Sequence, residues 1–153
     1  MTDRRARTYE TLGILMKFHA FPGDTQDKFC LVEAVVPPGL GAPPNHHAGE
    51  TEAFYMLEGE IEFMVDGQTR LARRGDHVAI PDGAVHAFTA RGDAPARMLI
   101  LNAPGHMHER FFTELGQPVA EGTSVPAPMD GPPDVARVMR VAGETGMTIL
   151  PPA

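Results

Sequence analysis

Residues 43–63 read PPNHHAGETEAFYMLEGEIEF. Two adjacent histidines, His46 and His47, are followed by a carboxylate at Glu52, and a strand-like run begins at once. Imidazole beside carboxylate on a strand is the donor chemistry of a divalent metal site. Strand side chains alternate between faces, so if His47 points into a core, His46 points away, unless the proline-rich stretch before it breaks the alternation. Glu52 facing inward carries Phe54 and Met56 to the same side. Beyond Glu58-Gly59, Ile61, Phe63 and Val65 alternate with Glu60, Glu62 and Met64, which is a period of two.

The same texture extends in both directions. Upstream, LGILMKFHA (12–20) and KFCLVEAVV (28–36) read as strands, while PPGLGAPPN (37–45) reads as a loop that cannot pair continuously because proline lacks the ladder donor. Downstream, Asp66-Gly67 is a hairpin signal, and QTRLARRG, DHVAIPDG, AVHAFTA and ARMLILNAPG continue the series. Turn signals recur every eight to twelve residues, as in an all-β sandwich or barrel. After Gly105 the period changes. HMHERFFTELG (106–116) has helical spacing with a stop at Gly116, and PDVARVMRVAGE (133–144) reads as a second helix ending at Gly143. MTILPPA closes with a short strand. The reading divides the chain into an N-terminal segment and first strand (1–27), a barrel core (28–102) and a helical and irregular extension packing on it (103–153).

Composition bounds the function. A chain of 153 residues with 42% hydrophobic content fits one globular domain. The net charge of −7, with no basic cluster beyond the surface pairs Arg4-Arg5 and Arg73-Arg74, argues against a nucleic-acid partner. No apolar run reaches the roughly 18 residues of a membrane span. The single cysteine, Cys30, sits in an apolar strand and reads as a buried core thiol. A reducing, cytoplasmic setting is expected, without a secretory signal.

Two spaced segments carry a resemblance. The first runs Gly39, five residues, Asn45, one residue, His47, four residues, Glu52, six residues, Gly59. The second runs Gly75, five residues, Pro81, one residue, Gly83, two residues, His86, three residues, Ala90. Over residues 28–102 this pairing resembles the cupin superfamily. APGHMHERFFTELG and the ending MTILPPA resemble a subgroup of small single-domain bacterial cupins described as quercetin-dioxygenase-like. The resemblance implies an all-β, jelly-roll barrel with short C-terminal helices, one divalent metal ion (Fe, Mn, Ni or Zn), and a homodimer. By position, the family's ligands fall on Asn45, His47, Glu52 and His86. Two departures stand out. Asn45 occupies the first histidine position, and Ala90 replaces the asparagine of the second segment. The remaining two imidazoles and one carboxylate match a facial triad with open positions. The other reading is a site that has lost its metal.

Alternation also proposes a pocket lined by Phe54, Met56, Ile61, Phe63 and Phe88, unless these residues simply fill a small barrel. His77 reads as surface. His106 and His108 diverge by about 200° on a helix and are not expected to bind a metal together. His19 reads as solvent-facing, and Arg91-Gly92-Asp93 as a hairpin turn. Two functions remain open. One is a metal-dependent oxygenase, or a related lyase or isomerase, of a small aromatic or apolar molecule, with Glu52 as ligand and proton acceptor. The other is a non-catalytic small-molecule binder.

Overall fold

A computed structural model describes residues 5–150. Met1 to Arg4, including Arg4 of the N-terminal arginine pair, and Pro151 to Ala153 lie outside the described residues. Two antiparallel sheets face one another. One consists of β1 (Thr8–Thr11), β2 (Ile14–Ala20), β3 (Cys30–Val36), β5 (Thr51–Glu58), β8 (His77–Ile80), β10 (Ala96–Ala103) and β11 (Gln117–Pro118), in the order β11-β1-β2-β3-β10-β5-β8. The other consists of β4 (Gly41–His46), β6 (Glu60–Val65), β7 (Gln68–Arg73), β9 (His86–Arg91) and β12 (Thr148–Ile149), in the order β12-β4-β9-β6-β7. The strands before residue 28 therefore extend the first sheet.

The period-two pattern becomes the core. Phe18, Val32, Phe54, Met56, Ile61, Phe63, Met98 and Ile100 are all at most 1% exposed. Phe54 of the first sheet meets Phe63 and Phe88 of the second at ring-centroid separations of 4.8 and 5.7 Å. Burying each such side chain is worth about 1.5–3 kcal/mol, and these rings join the two layers. Cys30 is buried, and burial pushes its thiol up to about 12.

Two local expectations are corrected, and a third is decided. The stretch before Asn45 is not all loop: Gly41–His46 forms β4, although its pairing with β9 shifts register between Ala42 and Asn45, where Pro43 and Pro44 offer no donor. The second helix, α2 (Val135–Thr145), runs through Gly143 and stops at Gly146, whose φ is 96°. Of the two readings of the inward aromatic and aliphatic residues, barrel filling describes Phe54, Met56, Ile61 and Phe63, which belong to the core, while Phe88 belongs to the core and also lines a cavity.

Two glycines have different roles. Asp66 and Gly67, with φ of 48° and 82°, close the β6–β7 hairpin in the mirror-image turn that matches strand twist. Gly105, at φ 96°, starts the first helix, α1 (His106–Leu115), and a side chain there would meet Cys30 Cβ at 2.3 Å and the Asn102 carbonyl at 2.9 Å. The helix is thus set down directly on the barrel. Gly67→Ala meets nothing within 4 Å and should cost about 1 kcal/mol of backbone strain. Gly105→Ala adds a clash with backbone and should cost roughly 2–4 kcal/mol. Chemical denaturation of both variants measures the difference, and equal costs would remove the argument for close docking.

Candidate metal centre

Glu52 lies on β5, which pairs with β10 on one side and β8 on the other, so its backbone is held on both edges. Its Oε2 is the convergence point of the site. His47 Nε2 and His86 Nε2 each lie 3.0 Å from it, and His108 Nε2 lies 3.5 Å from it. Each of these four residues is at most 5% exposed. His47 follows the end of β4, His86 opens β9 and His108 sits in the first turn of α1. The structure therefore brings together His47, Glu52 and His86, and adds His108.

Asn45 takes a different part. Its amide nitrogen donates to the Pro43 carbonyl at 2.9 Å and the His86 carbonyl at 3.2 Å, so the side chain ties β4 to β9. His46 is only half-buried, His77 is exposed, and His19 Nε2 lies 3.1 Å from Glu33 at the surface. His106 and His108 diverge as the helix requires: His106 faces outward, 3.2 Å from Asp27, and His108 alone turns inward. A signal for this was present. His108 stands three, four and seven residues before Phe111, Phe112 and Leu115, so it shares their apolar face.

Neighbouring groups fix how the imidazoles present themselves. His86 Nδ1 donates to the Ala84 carbonyl at 2.8 Å, which leaves Nε2 as the site-facing nitrogen. Glu50 Oε1 accepts the backbone N–H of Met107 at 2.6 Å and of His108 at 3.3 Å, capping α1, and lies 3.6 Å from His108 Nδ1. Burial opposes ionisation of Glu52, but the three imidazoles outweigh it and hold its carboxyl well below the usual range. Burial likewise opposes charge on His108, yet Glu52 and Glu50 raise it to about 9. Glu50 is lowered despite burial by His108 and the helix N–H groups.

The donor set fits a divalent cation. A carboxylate oxygen has two lone pairs, and three imidazole nitrogens crowd Glu52 Oε2. Unpartnered buried polar atoms gather in the same place: His47 Nδ1, Glu50 Oε2, His108 Nδ1 and both amide atoms of Asn102, the cross-strand neighbour of Glu52. One nitrogen or oxygen each from His47, Glu52 and His108 lies within 4.8 Å of the others, the spacing of a group that can close on one ion.

The site opens on a cavity of about 620 Å³ between the barrel and the helices. Its polar lining residues are Thr11, Asn45, Glu52, His86 and His108, and no lysine or arginine lines it among the described residues. The rest is apolar: Ile14, Phe88 and Ile100 from the barrel, Phe111, Phe112 and Val138 from the helices, and the thioethers of Met16, Met129, Met139 and Met147.

Comparison with known proteins fits this architecture. Residues 32–102 match the family described as Cupin domain. The chain belongs to the cupin superfamily. Quercetin 2,3-dioxygenase of Bacillus subtilis is 32% identical to this cupin over 95 residues, covering 62% of this chain and 28% of that protein. Among solved structures, a predicted oxalate decarboxylase of Thermotoga maritima superposes with TM-score 0.60 at 22% identity, over 63% of this chain and 91% of the other. The polyketide cyclase RemF of Streptomyces resistomycificus superposes with TM-score 0.56 at 25% identity, over 68% and 80%. The chain spans 28–66% of the length of the curated relatives it matches.

The electrostatics predict a pH signature for the cupin stripped of metal by chelator. A histidine raised from 6.5 to about 9 on folding stabilises fully below 6.5, and that stabilisation is lost as pH rises through 9. The thermal stability advantage of the stripped wild type over His108→Gln should therefore shrink between pH 6.5 and 9. An advantage that stays constant across that interval would contradict a charged His108 between the two glutamates.

Proposed function

We propose that this protein is a metal-dependent oxygenase of a small aromatic or apolar organic molecule. The observation that carries this reading is the placement of Glu52, His86 and His108 on an otherwise apolar cavity large enough for a ring system. Similarity to a quercetin 2,3-dioxygenase supports it. A bound divalent metal (Fe, Mn, Ni or Zn) supplies Lewis acidity that lowers the pKa of a hydroxyl or enol presented to it. His47, His86 and Glu52 are its proposed holders. Asn45, whose amide nitrogen donates to two backbone carbonyls, has only its amide oxygen to offer a metal, a weaker donor than imidazole.

The chain's own groups perform the remaining tasks. The apolar walls exclude water and favour a neutral substrate, since a phosphate or carboxylate would meet no basic side chain. Glu52 is the proposed proton acceptor. It stays ionised, but a carboxylate held well below its ordinary pKa accepts a proton weakly, so it acts as a base only when its imidazole contacts loosen. A second reading, a lyase, isomerase or cyclase using the same centre, is favoured by the likeness to a polyketide cyclase. A non-catalytic binder is the third.

Metal analysis of purified protein followed by oxygen uptake separates these readings. A panel of flavonols and diketones is presented to the loaded protein. The expected result is a divalent metal near one per chain and substrate-dependent oxygen consumption that disappears in Glu52→Gln. Turnover without oxygen uptake selects the second reading, and binding without turnover selects the third. A homodimer, expected from the exposed strand edges, is checked by light scattering across a wide concentration range.

A further inference from the structure

We propose that His108, delivered by α1, is the metal ligand that takes the place left by Asn45, and that Glu50 is the positioning residue that holds it there. This rests on the reading of the His/Glu cluster as a metal centre and is independent of the reaction.

Residue 45 has only its amide oxygen left to offer a metal. Its amide nitrogen is within 3.2 Å of two backbone carbonyls, and an amide oxygen is a weaker donor than imidazole for first-row metals. His108 supplies what is missing. Its Nε2 lies 3.5 Å from Glu52 Oε2, and its ring centroid lies 4.7 Å from that of His47, closer than the 5.2 Å between His47 and His86. It is 4% exposed on a helix whose outward face is otherwise polar, so its burial needs a partner that Phe111 and Phe112 do not provide.

Glu50 explains how a helix outside the barrel strands is placed accurately enough. One carboxylate oxygen receives two N–H groups of the first turn, so α1 is fixed axially and in rotation about the site. The same carboxylate faces His108 Nδ1 at 3.6 Å, and both Glu50 Oε2 and His108 Nδ1 are buried without a partner. A hydrogen bond from His108 Nδ1 to this carboxylate, closed from the present 3.6 Å, is the pairing that would satisfy the nitrogen. It also places the ring proton on Nδ1 and leaves Nε2 free toward Glu52, the carboxylate–histidine–metal arrangement by which outer carboxylates orient ligands.

The test measures Zn²⁺ affinity by competition with a chromophoric chelator, with circular dichroism and thermal unfolding recorded for every variant. His108→Ala should weaken Zn²⁺ binding by about 100-fold or more, and Glu50→Gln by roughly 10–100-fold. Asn45→Ala, which removes the tie to the His86 backbone but no imidazole, should weaken binding far less than His108→Ala. The decisive variant is Asn45→His combined with His108→Ala, which moves the imidazole back to β4 beside His86 and should recover most of the lost affinity. Adding Glu50→Gln to that pair should cost nothing more, because Glu50 acts only through His108. A merely structural role for Glu50 would still weaken the relocated site, which overturns the positioning claim. Wild-type affinity in His108→Ala, or a relocated imidazole in a folded protein that recovers nothing, overturns the ligand assignment. A wild type that binds no Zn²⁺ at all overturns both this inference and the metal centre beneath the proposed function.

Discussion

The structure turns on one buried carboxylate oxygen approached by three imidazoles. Glu52 Oε2 cannot satisfy three nitrogens with two lone pairs, and no water-exposed alternative exists for residues at most 5% exposed. Everything around it serves to hold this crowding in place. Strand pairing on both sides of β5 fixes the carboxylate, the Ala84 carbonyl fixes His86, and the capped first turn of α1 fixes His108. Cost and use are inseparable here. An anion ringed by imidazoles in an apolar interior is expensive to build, and such a cluster is what a small hard-to-borderline cation requires.

The barrel was readable in the sequence because its signals are local. Ile61, Phe63 and Val65 alternate, Asp66-Gly67 turns, and the spacing of His47, Glu52, Gly83 and His86 is a matter of counting along strands. The site was only partly readable because one member arrives through tertiary structure. His106 and His108 diverge on the helix, so they do not act as a pair, and that divergence is what sends His108 inward. Its place on the Phe111/Phe112 face was legible, but the docking of that face on the barrel was not. Likewise Phe54, Met56, Ile61 and Phe63 share faces that alternation reports correctly. Alternation cannot distinguish a face that meets another sheet from one that meets a void. Asn45 shows the same limit from the other side: motif position gave it a ligand's place, and only the structure reveals that its amide nitrogen also ties β4 to β9 beside His86.

The C-terminal extension is therefore part of the site. Phe111, Leu115, Val141, Ala142 and Met147 form a second apolar cluster that joins α1 to α2, and β12 pairs with β4 near Asn45. The barrel supplies one side of the cavity and the helices the other. Strands and roof are separate stretches of the chain, so the shape and polarity of the cavity can change through the helices while the barrel stays the same.

The methionines in that roof and wall have their own implication. Met16, Met129, Met139 and Met147 approach the cavity from four separate segments. Thioether chains are unbranched and polarisable, and they reshape around a guest at little energetic cost. Walls of this kind discriminate poorly between contours and strongly between wet and dry groups. The cavity should therefore accommodate apolar contours of more than one shape, while its few polar groups, Thr11, Asn45, Glu52, His86 and His108, fix where a polar edge can be received.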